Sequence, residues 1–359
     1  MIIHHPREVR AGTGDPLNQS PTWWSRWARA MIVAICLVVI GIFAWKLDWS
    51  PVLAAIGQAQ VTWILGALLM GSGAIALRAL RLALLTDDLR RFPAAFWSYS
   101  LGYLGTLFLP LGSGEMIRVV ALQRMTDLTL TRAATSAVVD RLFDLLGMGV
   151  VLSLLLVRGM ASNLRTGPLL LLGALTTALL VSLLSLVLGG HGFRDLLGHL
   201  DPRGSHPRIQ AGLTQYDAIH DQVLRLSRPG RIFQVILVQV FIISADATAV
   251  WLTLLAFPFG HGLDILAPLR VNLFLMFATA LPLLPGNLGT HQVACILALR
   301  PYGISQAQAL AFSLVAQVSS AVWLILQGLI ALTKAPAHIL SRADGDSLVA
   351  PTPITKEQH

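Results

Sequence analysis

Charged residues are scarce in this chain of 359 residues: only 12% are Asp, Glu, Lys or Arg, while 55% are hydrophobic. Soluble domains carry about 25% charged residues, so a soluble globular protein is excluded. Cysteine is scarce too, and Cys36 and Cys295 both lie in apolar segments. They indicate buried thiols rather than a disulfide framework or a metal cluster. The histidines show no metal-ligand spacing, and we expect neither a metal nor a cofactor.

The chain has instead a series of apolar runs near 20 residues long, which is the length of a transmembrane helix. They predict an all-α polytopic membrane protein with about six spanning helices. The alternating strands of a transmembrane barrel are not seen. The predicted spans are Ala28–Lys46, Val61–Leu84, Ala133–Val157, Pro168–Gly189, Ile232–Phe257 and Gln306–Leu332.

Two further apolar regions, Phe96–Leu122 and Ile265–Leu299, are each interrupted by glycine and proline. The interruptions read LPLGSGE from Leu109 and LPLLPGNLGT from Leu281. Most pieces on either side are too short to span, and broken backbone at membrane depth must be satisfied by protein or water. We predict two re-entrant hairpins; the alternative is a pair of short spanning helices in each region.

Basic residues predict the orientation, because lysine and arginine collect on cytoplasmic loops. With both termini inside, 20 of the 26 fall on the cytoplasmic side and five on the other, while Arg141 lies within a helix. The net charge of +8 is therefore not taken as a nucleic-acid signal. We expect a multi-pass protein of the cell inner membrane. Disordered cytoplasmic tails are expected at 1–27 and 336–359, and an amphipathic interfacial helix at about 208–226.

The two interrupted regions correspond to each other. Glu115 precedes Arg141 by 26 positions, and Gln292 precedes Gln317 by 25. In the predicted topology the leading helices of the two units run in opposite directions, which makes an inverted repeat. Such repeats with discontinuous helices are usual in secondary transporters, where the substrate site lies at the repeat interface. Repeat A covers 61–157 and repeat B covers 232–332.

Ionisable residues inside spanning segments are costly and point to function. Glu115 and Arg118 follow a Gly-Ser-Gly break, where the free amides of a half-helix favour an anion such as phosphate. Alternatively, Glu115 caps those amides itself, or forms a buried structural ion pair with Arg141. The substrate-binding candidates are Glu115, Arg118, Asp140, Arg141 and Asp246.

Other charges have competing interpretations. Asp140 and Asp144 share a helix face, which suits acid–base work or a metal; alternatively Asp140 pairs with an arginine and Asp144 is interfacial. Asp246 lies mid-helix, where it either carries a proton or makes a helix–helix hydrogen bond. Arg78 and Arg81 are expected to be topogenic charges that reach lipid headgroups.

At these positions the chain resembles the lysylphosphatidylglycerol synthase transmembrane region family, also called flippase-like domain proteins, over roughly 30–335. Its G-E-x-x-R motif is similar to the residues from Gly114 to Arg118. Its E-R-x-x-D motif is similar to the residues from Asp140 to Asp144, with aspartate where glutamate is usual. Its second break, P-G-x-L-G, is similar to Pro285, Gly286, Leu288 and Gly289.

The resemblance implies a flippase-like transmembrane domain at 28–335 that translocates lipid. Family members move aminoacylated phosphatidylglycerol between leaflets or are linked to hopanoid lipids and lipid-linked glycans. We expect no synthase activity here, because the soluble aminoacyl-transferase domain is not seen. The chain departs from the family at Gln292 and Gln317, where glutamate and arginine are common. Two amides can hydrogen-bond each other, so we expect this pair to be structural.

The resulting hypothesis is a non-enzymatic transporter of an anionic phospholipid or a lipid-linked intermediate. The hairpin tips form a polar groove for the headgroup, while the tails stay in lipid. The second-repeat break and its counterpart pair comprise Pro285, Gly286, Gly289, Gln292 and Gln317. Two alternatives stay open: a membrane-embedded lipid or polyprenyl transferase, with Asp87, Asp88 and Asp144 as its carboxylates, and a non-catalytic partner of a glycosyltransferase or lipid synthase.

Overall fold

The computed structural model describes residues 49–109, 113–157, 229–280 and 287–334, together with Leu213, Asp217 and His220. The four continuous ranges form nine α-helices and three short 3₁₀ turns, and no described residue lies in a strand, which confirms the all-α class. The helices are α1 (Trp49–Gly57), α2 (Val61–Leu85), α3 (Phe92–Phe108), α4 (Ser113–Met125), α5 (Leu130–Val157), α6 (Pro229–Leu255), α7 (Leu266–Ala280), α8 (Thr290–Leu299) and α9 (Gln306–Lys334).

The long helices begin and end within a few residues of the apolar runs that predict them. Of the described helices, α2, α6 and α9 are long and apolar enough to cross a membrane. Helix α5 has 28 residues, but Asp140, Arg141 and Asp144 interrupt its apolar character. The runs at Ala28–Lys46 and Pro168–Gly189, the tails and most of the interfacial helix lie outside the described residues. The count of six spans therefore stays a prediction.

Each interrupted region forms two helices that pack along each other, α3 with α4 and α7 with α8. At 1.5 Å per residue, the 13 residues of α4 extend about 20 Å and the 10 residues of α8 about 15 Å. Before α8, Gly289 has a φ of 83°, a conformation that suits glycine. Its N–H donates to Gln292 Oε1 at 2.7 Å, which caps the start of the helix. The apolar runs do not predict α1, whose nine residues are too few to span a membrane.

Glycine lets the backbones of α3 and α4 approach closely. A Cβ on Gly102 would lie 2.9 Å from the Cβ of Arg118, and a Cβ on Gly105 would lie 3.3 Å from the Cα of Gly114. A Cβ on Gly114 would overlap the carbonyl oxygen of Gly102. Gly114 therefore has a packing role, because it lets the beginning of α4 pack directly against α3.

The contacts among α2–α9 follow a two-fold pattern, in which α2, α3, α4 and α5 correspond to α6, α7, α8 and α9. Whenever two of these helices pack closely, the two corresponding helices also pack closely. For example, α3 packs on α9 as α7 packs on α5, and α2 packs on α5 as α6 packs on α9. The two halves of the described bundle therefore pack in corresponding ways around the contact between α2 and α6.

We predict that Gly114→Ala destabilises the fold by about 1–3 kcal/mol, the usual cost of overpacking. The new methyl group would push α4 away from α3. Thermal or denaturant unfolding in detergent measures the effect. Gly73→Ala is the matched control, because a Cβ there meets no atom within 4 Å. Equal stability of the two variants would contradict the close packing at the hairpin.

Candidate functional site

Eight charged side chains converge where α2, α4, α5 and α6 meet. We call them the charge cluster: Arg78, Arg81, Glu115, Arg118, Asp140, Arg141, Asp144 and Asp246. Helical spacing assembles the cluster, because residues three or four apart share one helix face. This relation holds between the two arginines of α2, between Glu115 and Arg118 of α4, and between Asp140 and Asp144 of α5.

Asp140 lies at the centre of the cluster, and its side chain is fully buried. Arg81 Nε donates to Asp140 Oδ1 at 2.8 Å, and Arg118 Nη1 donates to Oδ2 at 2.9 Å. The Tyr99 hydroxyl also donates to Oδ2. The guanidinium of Arg118 lies 4.5 Å from the centre of the Tyr99 ring, a cation–π contact. One carboxylate thus joins α2, α3 and α4 to α5.

Arg81 is fully buried and uses its whole guanidinium. Besides Asp140, it donates to Asp144 Oδ1 at 2.8 Å through Nη2 and to Gln239 Oε1 through Nη1. Gln239 reaches this point from α6 because Gly147 leaves room: a Cβ on Gly147 would overlap the Gln239 amide. The planar fork of arginine suits such a multiple contact, which lysine could not make.

The accessible edge of the cluster is the pair of Glu115 and Arg141. Their side chains are 41% and 50% exposed, and Arg141 Nη2 donates to Glu115 Oε1. Arg118 also pairs with Glu115 at 2.7 Å, and Arg141 lies 3.4 Å from Asp144. The predicted Glu115–Arg141 ion pair is confirmed. Its expected burial is wrong, because the pair faces outward from the buried carboxylates.

Asp246 pairs with Arg78 through two hydrogen bonds of 3.1 and 2.5 Å. Both side chains are mostly buried. Of the two interpretations of Asp246, the structure contains the hydrogen bond between helices, with Arg78 as the partner. This pair joins the two helices that begin the two halves.

The prediction that the arginines of α2 reach lipid headgroups is wrong. Arg81 is fully buried and bound to two carboxylates. Arg78 likewise binds Asp246 inside the bundle. The expected pairing of Asp140 is confirmed, while Asp144 is buried and bound to Arg81. An arginine near a helix end looks the same in the sequence whether it reaches lipid headgroups or binds buried carboxylates. Only its contacts in the structure distinguish the two cases.

The charge cluster is balanced, with four positive and four negative side chains. A buried charge without a partner costs several kcal/mol, so this balance is a condition for the packing. Every arginine of the cluster already binds a carboxylate. An incoming anion would therefore compete with a carboxylate for these arginines. Whether Glu115 also caps α4 stays a prediction, since 110–112 lie outside the described residues.

The second half has an uncharged pair at the corresponding place. Gln292 Nε2 donates to Gln317 Oε1 at 2.5 Å, which confirms the predicted amide pair. Glu115 and Gln292 are each the third residue of their helix, so the two contacts occupy equivalent positions. Beside them, His291 Nδ1 lies 2.9 Å from Ser313 Oγ. Pro285 and Gly286 lie outside the described residues.

The carboxylates of the transferase alternative have structural partners. Asp87 pairs with Arg231. Asp88 accepts a hydrogen bond from the backbone N–H of Arg90 at 2.9 Å and lies 3.7 Å from Arg91. Among the described residues, no group of three or more histidine, cysteine, aspartate or glutamate side chains is arranged to hold a metal ion.

Comparison with known families identifies the kind of protein that carries this cluster. A family model described as "Lysylphosphatidylglycerol synthase TM region" matches residues 27–328. The chain belongs to this family. It is an all-α membrane protein related to lipid metabolism or transport. Searches of curated proteins and of solved structures give no match. The residues that carry the resemblance in the first half, from Glu115 and Arg118 to Arg141 and Asp144, all lie in the charge cluster.

We predict that Asp140→Asn destabilises the protein by about 3–5 kcal/mol, because it leaves buried Arg81 and Arg118 without full charge compensation. Asp127→Asn makes the same chemical change at a side chain that is 79% exposed and paired with Arg91, and it should cost less than about 1 kcal/mol. Denaturant unfolding in detergent compares the two variants. Similar small losses would show that the cluster does not hold the bundle together.

Proposed function

We propose that this protein moves an anionic phospholipid or a lipid-linked intermediate between the two leaflets of the cell inner membrane. The observation that carries the proposal is the Glu115–Arg141 pair, the exposed edge of an otherwise buried and balanced charge cluster. Membership of a lipid-related membrane family supports it. The proposal assigns no catalytic residue.

The headgroup would bind by exchange of ion pairs. A lipid phosphate approaching the edge replaces Glu115 on Arg141, since a guanidinium binds phosphate through two parallel hydrogen bonds. Arg118, which also binds Glu115, is the next cation inward. Because one anion replaces another, the buried charges of Asp140 and Arg81 keep their partners throughout. Because headgroup binding breaks one ion pair for the one it forms, the net affinity stays modest, and this allows release on the other side.

The hairpins would provide the path. We take both as re-entrant, and the lengths of α4 and α8 support this, since about 20 Å and about 15 Å fall short of a hydrocarbon core of about 30 Å. The two-fold pattern of helix contacts supports the inverted repeat. In transporters built this way, the substrate site lies at the repeat interface near the midplane. Cytoplasmic termini follow from the distribution of lysine and arginine in the loops.

We predict that Arg141→Ala abolishes translocation in a folded protein. Glu115 keeps Arg118 as its partner, so no buried charge is stranded. The protein is reconstituted in liposomes with trace fluorescent phosphatidylglycerol, and a membrane-impermeant quencher reports how much probe reaches the outer leaflet. Wild type should expose more probe than empty liposomes, and Arg141→Ala should not.

Arg132→Ala is the control, because Arg132 is also an exposed arginine of α5 but lies outside the charge cluster. It should behave as wild type. Full translocation by Arg141→Ala would remove this arginine from the mechanism. Failure of wild type with every lipid tried, together with co-purification of a soluble enzyme, would favour the role of a membrane partner.

A further inference from the structure

A cavity of about 240 Å³ lies between α2, α6 and α9, the three described helices with the length and apolarity of membrane spans. Its wall is mainly apolar. Ala67, Leu68 and Gly71 line it from α2, and Phe312 and Ala316 line it from α9. The charge cluster does not account for this space, and no sequence pattern predicts it.

The Arg78–Asp246 ion pair lies one helical turn beyond the residues that line the cavity. On α2, Ile75 lines the cavity and Arg78 follows it by one turn; on α6, Ala249 lines the cavity and Asp246 precedes it by one turn. Residues three apart share one helix face, so the apolar wall continues directly into the charged pair. An amphiphile in the cavity would therefore have its polar end beside the charge cluster.

Tyr103 and His291 are among the polar side chains that reach the cavity. Tyr103 stacks on Tyr99 with 6.2 Å between ring centres, and Tyr99 binds Asp140, so this side of the cavity is connected to the charge cluster. His291 lies opposite in the chain's second half, with Nδ1 on Ser313. An apolar cavity with a few polar groups is the usual form of a small-molecule site.

The length of the cavity suits a hydrocarbon chain. At 1.5 Å per residue, the lining extends about 12 Å along α2, from Ala67 to Ile75, and about 18 Å along α9, from Phe312 to Leu324. Ser320 at the edge is exposed, so the cavity reaches the surface of the bundle.

We infer that this cavity binds one hydrocarbon chain of a phosphate-bearing membrane lipid, with the polar end of the lipid directed towards Arg78 and Tyr103. The inference rests on the proposed function for the identity of the ligand as a lipid. It differs from the sequence expectation that the tails stay in the bilayer. A protein segment is not the occupant, because a helix with its side chains is about 10 Å wide and does not fit.

Gly71→Phe tests the inference by filling the cavity. A Cβ on Gly71 meets no atom within 4 Å, so the ring can enter the space without a backbone shift. Gly73→Phe is the matched control: its Cβ is equally unobstructed, but Gly73 does not line the cavity. The probe is phosphatidylglycerol with a photoreactive diazirine on one chain, mixed into liposomes that contain the full-length protein. After irradiation, mass spectrometry maps the labelled peptides.

Wild type and Gly73→Phe should be labelled on α2 around Ala67–Ile75 and on α9 around Phe312–Leu324. Gly71→Phe should lose this labelling while keeping its unfolding temperature, and Gly71→Ala, which adds little volume, should retain it. Undiminished labelling in Gly71→Phe, or wild-type labelling spread evenly over all lipid-facing helices, would overturn the inference. A misfolded Gly71→Phe is replaced by Gly71→Leu, to which the same two outcomes apply.

Translocation measured in the same liposomes separates this inference from the proposed function. Translocation without cavity labelling would leave the proposed function standing and refute the chain site. Cavity labelling without translocation of any probe lipid would establish the chain site and refute the proposed function. In that case the lipid would be a bound component of the protein.

Discussion

The buried carboxylate of Asp140 is the constraint on which the rest of the first half depends. Arg81, Arg118 and Tyr99 reach it from three different helices. Since a buried charge must keep its partners, the hairpin of α3 and α4 cannot move away from α2 and α5 without a large energetic cost. That fixed arrangement leaves the Glu115–Arg141 pair exposed at the edge, where an ion pair can be exchanged at low cost.

The two halves differ in the chemistry of their hairpin contacts. Both connect the third residue of a short helix to the long helix that follows, but one contact is charged and the other is an amide pair. Neutral amides satisfy each other without strong attraction for an anion, so the proposed headgroup site lies in the first half. Losing both charges together avoids an unpaired ion. The charges of the cluster therefore come almost entirely from the first half, and Asp246 is the only member of the cluster from the second half.

Sequence predicts the elements of this structure better than their partners. Apolar runs give the ends of α2 and α9 closely, because helix length in a membrane follows hydrophobicity. The repeat spacing predicts both hairpin contacts, Glu115–Arg141 and Gln292–Gln317. It does not predict where Arg81 points, since headgroups and buried carboxylates both suit an arginine near a helix end. The sequence does not point to Tyr99 and Gln239, because a neutral residue in a membrane helix is not unusual enough to stand out. The two arginines three apart in apolar α2 do indicate that nearby carboxylates are needed.

In the proposed function, lipid translocation requires the charges at the first hairpin, and the mechanical connection between hairpin and helix is not enough. Replacing both partners, Glu115→Gln with Arg141→Gln, gives the first half the amide pair that the second half already has. We expect this double variant to fold with nearly wild-type stability and to expose no more fluorescent phosphatidylglycerol to the impermeant quencher than empty liposomes do. Wild-type translocation by the double variant would contradict the account, because the connection alone would then suffice.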